Sequence, residues 1–398
     1  MQDFKKEVKK MMLANQRHFG EHQYTVPSPE TYPFQWLWDS CFHAIILTHF
    51  DPESAKKEIL SLVSKQFENG LIPHIIFWKK ENIVAPKHTV IDWGKEDTST
   101  ITQPPMLAYA AWRIYQIDPD KKFLNKIYKN LFHYYKYLIN ERDPHERNLT
   151  GIINPEESGE DNSPRFDIPL GLSSRHTLRQ NELERHRLKD RNRECNFDAP
   201  FCMKNFFWVK DVPFNAIMIE NLEHLANIAR EIGYDYDASY FQRQRLEMIE
   251  AMKTLMKEDE LFWSTYGEDY KKIKVKTWAI FAPLFAKILS KEEAEDLVKN
   301  YLQNEKEFKT KYYLPTVSIS EEAFDPKCYW RGPVWMNVNW FVYKGLKNYG
   351  LDEAAEKIKE NSIALYKKSG FREYFDPQTG EGLGAKNFTW AGLILDMN

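Results

Sequence analysis

The feature that most constrains this fold is a helical periodicity that fills most of the chain and is interrupted by alternating short and long links. Strand-like alternation occurs only in short pieces. Short links such as Asp51-Pro52 and Gly233-Tyr234 favour antiparallel packing of consecutive helices. We therefore predict an all-α fold of six helical hairpins that can close into a ring. The predicted helices are 2–18, 36–49, 52–66, 103–117, 120–141, 211–233, 236–257, 275–289, 291–303, 333–349, 352–370 and 387–397.

The distribution of apolar residues divides these helices into inner and outer ones. Thr277–Leu289 is apolar all round, which predicts a buried inner helix, whereas 352–370 has one apolar face and is predicted to lie outside. Closed repetitive architectures can hold 398 residues in one domain, so we predict a single domain over 1–398.

Five long links separate outer from inner helices. In a ring they would all emerge at one end, and loops of this length are uncommon unless they are functional. We expect the site at that end, with the main insertions at about 67–102 and 142–210. The five links are 67–102, 142–210, 258–274, 304–332 and 371–386.

Composition excludes several classes of partner. The net charge is -3 and the basic residues form no run, so no nucleic-acid partner is predicted. No apolar stretch approaches the roughly 20 residues of a membrane span or resembles a signal peptide, which predicts a soluble, cytoplasmic protein without a membrane partner. The cysteines form no paired spacing and are predicted to be free thiols: Cys41, Cys195, Cys202 and Cys328.

Common catalytic motifs are missing from the sequence. The eleven His are scattered without HExxH, no GxSxG occurs, and the glycines of 380–384 follow no predicted strand. We predict no metal and no cofactor.

Two carboxylate-rich stretches carry the functional signal. ESGEDNSPRFD spans Glu157–Asp167 around Asp161, and REYFDPQTGEGLG spans Arg372–Gly384. The first stretch alone is also compatible with a solvated acidic turn. Aromatic residues make up 15% of the chain, and flat rings pack on the apolar faces of sugars. Two carboxylates from distant loops among aromatic rings are the minimum apparatus for cleaving a glycosidic bond.

Six segments in order resemble the α-glycosidases of glycoside hydrolase family 63, and within them the bacterial mannosylglycerate and glucosylglycerate hydrolases. The resemblance implies an (α/α)6 barrel and an inverting hydrolysis of a small α-linked glycoside, best matched by α-mannosyl- or α-glucosylglycerate. The segments are YTVPSPETYPFQWLWDS, GLIPHIIF, TQPP, ESGEDNSPRFD, YWRGPVWMNVNW and EYFDPQTGEGLGAKNFTW.

The resemblance also implies the catalytic pair. Asp161 corresponds to the general acid and Glu373 to the general base, while Glu157 and Glu160 are expected to brace the loop. Glu381 is the rival base, but it lies between glycines, where a base is harder to hold in place.

Chemistry and the resemblance together suggest the residues that bind substrate. We expect Tyr32, Trp38 and Asp39 to bind the nonreducing sugar and Gln103 to bind a hydroxyl group. Tyr329, Trp330 and Trp335 are expected to line the leaving-group side. Asp39 could instead brace its helix, and Gln103 could simply begin a helix.

The basic stretch 173–195 follows the acid loop. It could carry an arginine for a carboxylated leaving group, as a lid, or form a solvated charged helix. Two alternative functions remain open from sequence: hydrolysis of a neutral disaccharide or oligosaccharide, and sugar binding without catalysis.

Overall fold

The computed structural model describes residues 2–78, 93–173 and 176–398, so part of the predicted insertion 67–102 and two residues of the basic stretch 173–195 lie outside the described residues. Helices dominate, as predicted. They are α1 (Gln2–Asn15), α2 (Leu37–Leu47), α3 (Pro52–Val63), α4 (Leu107–Ile117), α5 (Lys121–Glu141), α6 (Leu178–Glu194), α7 (Ala199–Asn205), α8 (Val212–Glu231), α9 (Asp235–Leu255), α10 (Ala282–Phe285), α11 (Lys291–Leu297), α12 (Met336–Asn348) and α13 (Asp352–Ser369).

The strands are short and lie in the links. Within the described residues they form four two-stranded sheets, β1-β2, β3-β4, β6-β7 and β10-β11, and one sheet of order β5-β8-β9. The strands are β1 (Gln16–Phe19), β2 (His22–Thr25), β3 (Gln35–Trp36), β4 (Ile75–Ile76), β5 (Val209–Lys210), β6 (Lys257–Glu258), β7 (Leu261–Phe262), β8 (Thr265–Tyr266), β9 (Lys271–Lys272), β10 (Arg372–Phe375) and β11 (Gly382–Lys386).

Six inner elements close a ring. α2 packs on α4, α4 on α8, α8 on α10, α10 on α12, α12 on the 3₁₀ segment Thr389–Asp396, and this segment packs back on α2. The outer helices α3, α5, α9 and α13 pack on the inner helices α2, α4, α8 and α12 that precede them through short links. The predicted (α/α)6 barrel is therefore confirmed.

Several predicted boundaries were wrong for reasons of backbone chemistry. The helix predicted over 103–117 begins at Leu107, because Pro104 and Pro105 lack N–H groups, so Gln103 does not begin a helix. Likewise, the helix predicted to start at Pro333 begins only at Met336. The inner segment 275–289 is not one regular helix but the 3₁₀ turn Trp278–Phe281 followed by the short α10, whose first turn contains Pro283. The insertion 142–210 is not all loop, since it contains α6 and α7.

The last inner element is joined to the ring by a buried carboxylate. Asp396 accepts from Arg113 Nη2 on α4 at 2.9 Å and from Trp340 Nε1 on α12 at 3.0 Å. Lys344 Nζ lies 2.8 Å from Oδ2, and His49 Nε2 lies 3.4 Å from Oδ1. Burial would raise the pKa of Asp396, but His49, Lys344 and Arg113 outweigh it and hold that pKa well below its ordinary value.

We expect Asp396→Asn to lower the free energy of unfolding by about 3 kcal/mol at pH 7, because it removes a buried carboxylate and leaves partly buried cations without their partner. Since the pKa of Asp396 is depressed in the folded state, its contribution is present at neutral pH and is lost in strong acid. Urea unfolding at pH 7 measures the change. The control Asp352→Asn breaks an exposed pair with Lys347 and should cost under about 1 kcal/mol. Equal losses in the two variants would contradict the closing role of Asp396.

No helix of the described residues is long and apolar enough to span a membrane.

Candidate active site

A cavity of about 580 Å³ is enclosed by the loops that lead into the inner helices and by one face of α6. The structure brings all the residues predicted for catalysis and substrate binding to this one cavity. They are Tyr32, Trp38, Asp39, Gln103, Asp161, Tyr329, Trp330, Trp335 and Glu373.

Glu373 lies on β10, is only 3% exposed, and is held by two donors. The Tyr32 hydroxyl donates to Oε1 at 2.6 Å, and the Ala385 backbone N–H on β11 donates to Oε2 at 2.7 Å. Burial raises the pKa of Glu373 to about 7, the two donors oppose this rise, and the charge of Asp161 adds to it. The carboxylate is therefore fixed in position and changes its charge near neutral pH.

A glycine in each carboxylate stretch makes room for a side chain of the site. At Gly384, with φ +62°, a Cβ atom would lie 2.3 Å from Glu373 Oε2. At Gly159, with φ +72°, it would lie 2.3 Å from the Trp38 ring. Glycine is required at both positions because it permits both the positive φ and the close approach. The last glycine of GEGLG thus makes room for the carboxylate of Glu373.

Asp161 is paired with an arginine of α6. Arg185 Nη1 donates to Asp161 Oδ2 at 2.6 Å and, from the same nitrogen, to Glu156 Oε1 at 2.9 Å. Both acids line the cavity. Burial raises the pKa of Glu156 to about 7, Arg185 opposes this rise, and the charge of Asp161 adds to it.

Polar contacts orient Arg185. Its Nε donates to Asn181 Oδ1 at 3.1 Å, and Asn181 Nδ2 donates to Asp167 Oδ1 at 3.3 Å. Asp167 in turn accepts two bonds from Arg331, at 3.1 and 2.8 Å. The acid loop, α6 and the loop that carries Trp330 are therefore linked by a chain of charged and amide groups.

Asp39 and Gln103 present polar groups from another part of the cavity wall. Asp39 Oδ1 accepts from Trp390 Nε1 at 2.8 Å, while Oδ2 makes no hydrogen bond within the described chain. Burial raises the pKa of Asp39 to about 6. Gln103 Oε1 accepts the backbone N–H of Trp38 at 3.3 Å, which leaves its amide NH₂ as a donor. Both residues line the cavity, so Asp39 braces a wall and also retains an oxygen for a ligand.

Trp330 and Trp335 form a flat aromatic wall. Their rings stack with centroids 3.8 Å apart and planes 5° apart. Trp335 Nε1 donates to the Tyr329 carbonyl at 2.9 Å, and the Tyr329 hydroxyl lies 3.4 Å from that of Tyr32. The indole pair lines the same cavity as Glu373, and aromatic rings of this kind pack against the apolar faces of polar ligands.

The other acids of the two stretches have different surroundings. Glu157 forms a bidentate ion pair with Arg142, with both hydrogen bonds at 2.6 Å. Glu160 forms a bidentate ion pair with Arg165, with both hydrogen bonds at 3.0 Å. These pairs are the contacts that loop bracing requires. Glu381 is exposed, pairs with Lys327 at 2.7 Å and does not line the cavity.

Sequence reasoning missed several cavity residues. Arg185 and Glu156 lie in or beside stretches that were singled out, but no spacing rule selects one arginine or one glutamate from a charged run. His74 bonds Ser99 at 2.6 Å and also lines the cavity. Burial lowers the pKa of His74 to about 3. The remaining missed residues include Trp36, Trp93, Phe388 and Trp390.

Sequence comparison finds relatives along nearly the whole chain. Mannosylglycerate hydrolase from Thermus thermophilus is 34% identical over 93% of this chain and 95% of its own length. The enzyme of that name from Rubrobacter radiotolerans is 30% identical over 94% and 93%. Glucosylglycerate hydrolase from Mycolicibacterium hassiacum is 29% identical over 94% and 93%.

Structure comparison agrees. The family 63 mannosylglycerate hydrolase from Thermus thermophilus, solved in complex with Tris and D-glycerate, superposes with a TM-score of 0.89 at 32% identity, over 99% of this chain and 98% of that one. Neutral trehalase from Saccharomyces cerevisiae shares the fold, with a TM-score of 0.62 at 14% identity over 98% and 79%.

The profile of the mannosylglycerate hydrolase MGH1-like glycoside hydrolase domain matches residues 32–391. This range includes Asp161 and Glu373, which line one cavity together with several tryptophans. The chain therefore belongs to the family of the mannosylglycerate hydrolase MGH1-like glycoside hydrolase domain, within glycoside hydrolase family 63, and is a glycoside hydrolase.

Proposed function

We propose that this enzyme hydrolyses an α-mannoside or α-glucoside of glyceric acid with inversion, using Asp161 as general acid and Glu373 as general base. The observation that carries the proposal is the placement of these two acids in one cavity, although they lie far apart in the sequence. Arg185 would stabilise the carboxylate that Asp161 becomes once it has given up its proton, and two neutral donors fix the position of Glu373. The names of the relatives, mannosylglycerate and glucosylglycerate hydrolase, support the substrate class.

In the proposed reaction, protonated Asp161 gives its proton to the glycosidic oxygen as the bond from that oxygen to the anomeric carbon breaks. Ionised Glu373 removes a proton from water, whose oxygen forms the new bond to the anomeric carbon. The products are the free sugar and glycerate. We expect the two carboxyl groups to lie roughly 6.5–9.5 Å apart, leaving room for that water.

Arg185 is suited to bind the carboxylate of the leaving group. Among the described residues that line the cavity, it is the only Arg or Lys. Its Nη1 and Nε are occupied, while its Nη2 makes no hydrogen bond with the described chain. Nη2 therefore retains donors for a substrate carboxylate beside the acid that protonates the same leaving group.

On the sugar side, Asp39 Oδ2 is suited to accept hydrogen bonds from sugar hydroxyl groups, and the Gln103 amide NH₂ is suited to donate to them. The Trp38 ring packs against Gly159 and lines the same cavity. Tyr32 serves mainly to hold Glu373.

A substrate panel tests the function. We expect turnover of α-mannosylglycerate or α-glucosylglycerate, and much weaker turnover of the same sugar linked to glycerol, which lacks only the carboxylate. Trehalose and kojibiose provide the neutral disaccharide arm. Preference for a neutral compound would contradict the substrate class, and binding without turnover would contradict catalysis.

Tyr32→Phe is expected to move the acidic limb of the pH profile of kcat/KM upward by about one unit. In the wild type, burial raises the pKa of Glu373 to about 7 and the Tyr32 hydroxyl restrains this rise. Without that donor the base loses its charge at a higher pH, so activity at pH 6 falls more than activity at pH 8. Tyr374→Phe, which removes a neighbouring hydroxyl outside the cavity, should leave the limb in place. An unshifted limb in Tyr32→Phe would contradict Glu373 as the base.

A further inference from the structure

Glu156 is a cavity carboxylate for which the proposed reaction has no step. It lies shortly before Asp161, in the 3₁₀ turn Pro155–Ser158. Its Oε1 and Asp161 Oδ2 accept from the same nitrogen, Arg185 Nη1, at 2.9 and 2.6 Å. Two carboxylates therefore share one guanidinium.

The second oxygen of Glu156 has no partner. Oε2 is buried and makes no hydrogen bond with any described residue. An ionised oxygen buried without a donor is costly, whereas a protonated one costs much less. With both acids ionised, the cluster of Glu156, Asp161 and Arg185 carries one uncompensated negative charge, and a single proton removes it.

On the basis of the proposed function, we infer that Glu156 is a positioning residue for the general acid. It shares Arg185 and one proton with Asp161, and so keeps the cluster supplied with the proton that the leaving group needs. Asp161 passes that proton to the glycosidic oxygen and becomes a carboxylate paired with Arg185. The proton that Glu373 takes from water is released to solvent, and the cluster takes one up again, so protons balance over a turnover.

Burial supports this sharing, because it raises the pKa of Glu156 to about 7 against the effect of Arg185. Other titratable groups face the same cavity from the surrounding elements and contribute to its field. They are Tyr32, Asp39, His74, Glu182, His186, Tyr329 and Glu373.

The test is Glu156→Gln, which keeps the shape of the side chain but removes its charge and its proton. Arg185 then pairs with Asp161 alone, and the ionised form of the acid is favoured. For the glycerate glycoside, we expect the alkaline limb of kcat/KM to move down by about one pH unit, with little change at lower pH. Glu156→Asp, which retains a carboxyl group, should restore part of the shift.

Two controls separate this role from a structural one. The α-glycosyl fluoride of the preferred sugar needs little protonation of its leaving group, so its hydrolysis should be unchanged in Glu156→Gln. Glu184→Gln removes the same charge from α6 beside Arg185, but Glu184 pairs with Arg187, so the limb should stay in place.

Three outcomes would overturn the assignment. They are an alkaline limb that does not move in Glu156→Gln, an equal loss on both substrates at every pH, and separate rather than joint titration of Glu156 and Asp161 by ¹³C-carboxyl NMR of the free enzyme. The NMR titration uses the unaltered protein and needs no substrate. A wild type that cleaves neither the glycoside nor the fluoride would instead overturn the proposed function itself.

Discussion

Glu373→Gln is expected to reduce kcat by roughly 10²–10⁴-fold while the protein remains folded. The amide cannot take a proton from water, although it keeps the size of the carboxyl group. Because burial raises the pKa of Glu373 above its ordinary value, the ionised side chain costs stability above pH 7. The variant should therefore melt at the wild-type temperature or above it at pH 8. Steady-state kinetics and thermal melts check the two parts.

Glu381→Gln is the matched control for this loss. Glu381 belongs to the same carboxylate stretch, but it is exposed and paired with Lys327. We expect this variant to keep wild-type kcat. An inactive Glu381→Gln beside an active Glu373→Gln would show that the base has been misassigned.

Asp161→Asn is expected to lose roughly 10²–10⁴-fold in kcat on the glycerate glycoside, because the leaving oxygen no longer receives a proton. The loss should be far smaller on the α-glycosyl fluoride, since fluoride leaves without that proton. The comparison of substrates within one variant removes any effect of altered folding. Kinetics on both substrates at one pH measure it.

Equal losses on the two substrates would mean that Asp161 holds the site together through Arg185 and does not act as the acid. The structure makes this a real alternative, because the Asp161–Arg185 pair joins the acid loop to α6. Glu156→Gln provides the complement, since it leaves Asp161 in place and changes only the group with which it shares Arg185.

The sequence predicted the ring because helix order and alternating link length are local features. Short links force antiparallel neighbours, and long links must then emerge at one end. The same logic explains why Asp161 and Glu373 line one cavity although they lie far apart in the numbering.

Prolines account for part of what sequence reasoning missed. The inner helices near Pro283 and Pro333 are shorter than their apolar pattern suggests, since Pro283 lies in the first turn of the short α10 and Pro333 precedes the start of α12 at Met336. The segment 387–397 was also predicted as a helix and forms the 3₁₀ segment Thr389–Asp396, whose residues are all buried against the ring.

Charge partners account for the rest. The run that contains Arg185 holds several arginines, and the sequence left open whether it carries an arginine to the site as a lid or forms a solvated charged helix; the structure shows a helix over Leu178–Glu194. Which arginine faces the acid depends on how α6 lies against the loop, and Asn181 and Asp167 determine that through tertiary contacts. Glu156 could not be predicted for the same reason: its contact with Arg185 is tertiary, and in the sequence it does not differ from its neighbour Glu157, which pairs with Arg142.

The configuration of the first-formed sugar tests the central claim most directly. Hydrolysis of the α-glycoside in D₂O, followed by ¹H NMR before mutarotation, should give the β-anomer first, because water activated by Glu373 attacks opposite the bond that Asp161 protonates. If the α-anomer appears first, the reaction retains configuration, and the assignment of Asp161 and Glu373 as an inverting acid and base is wrong.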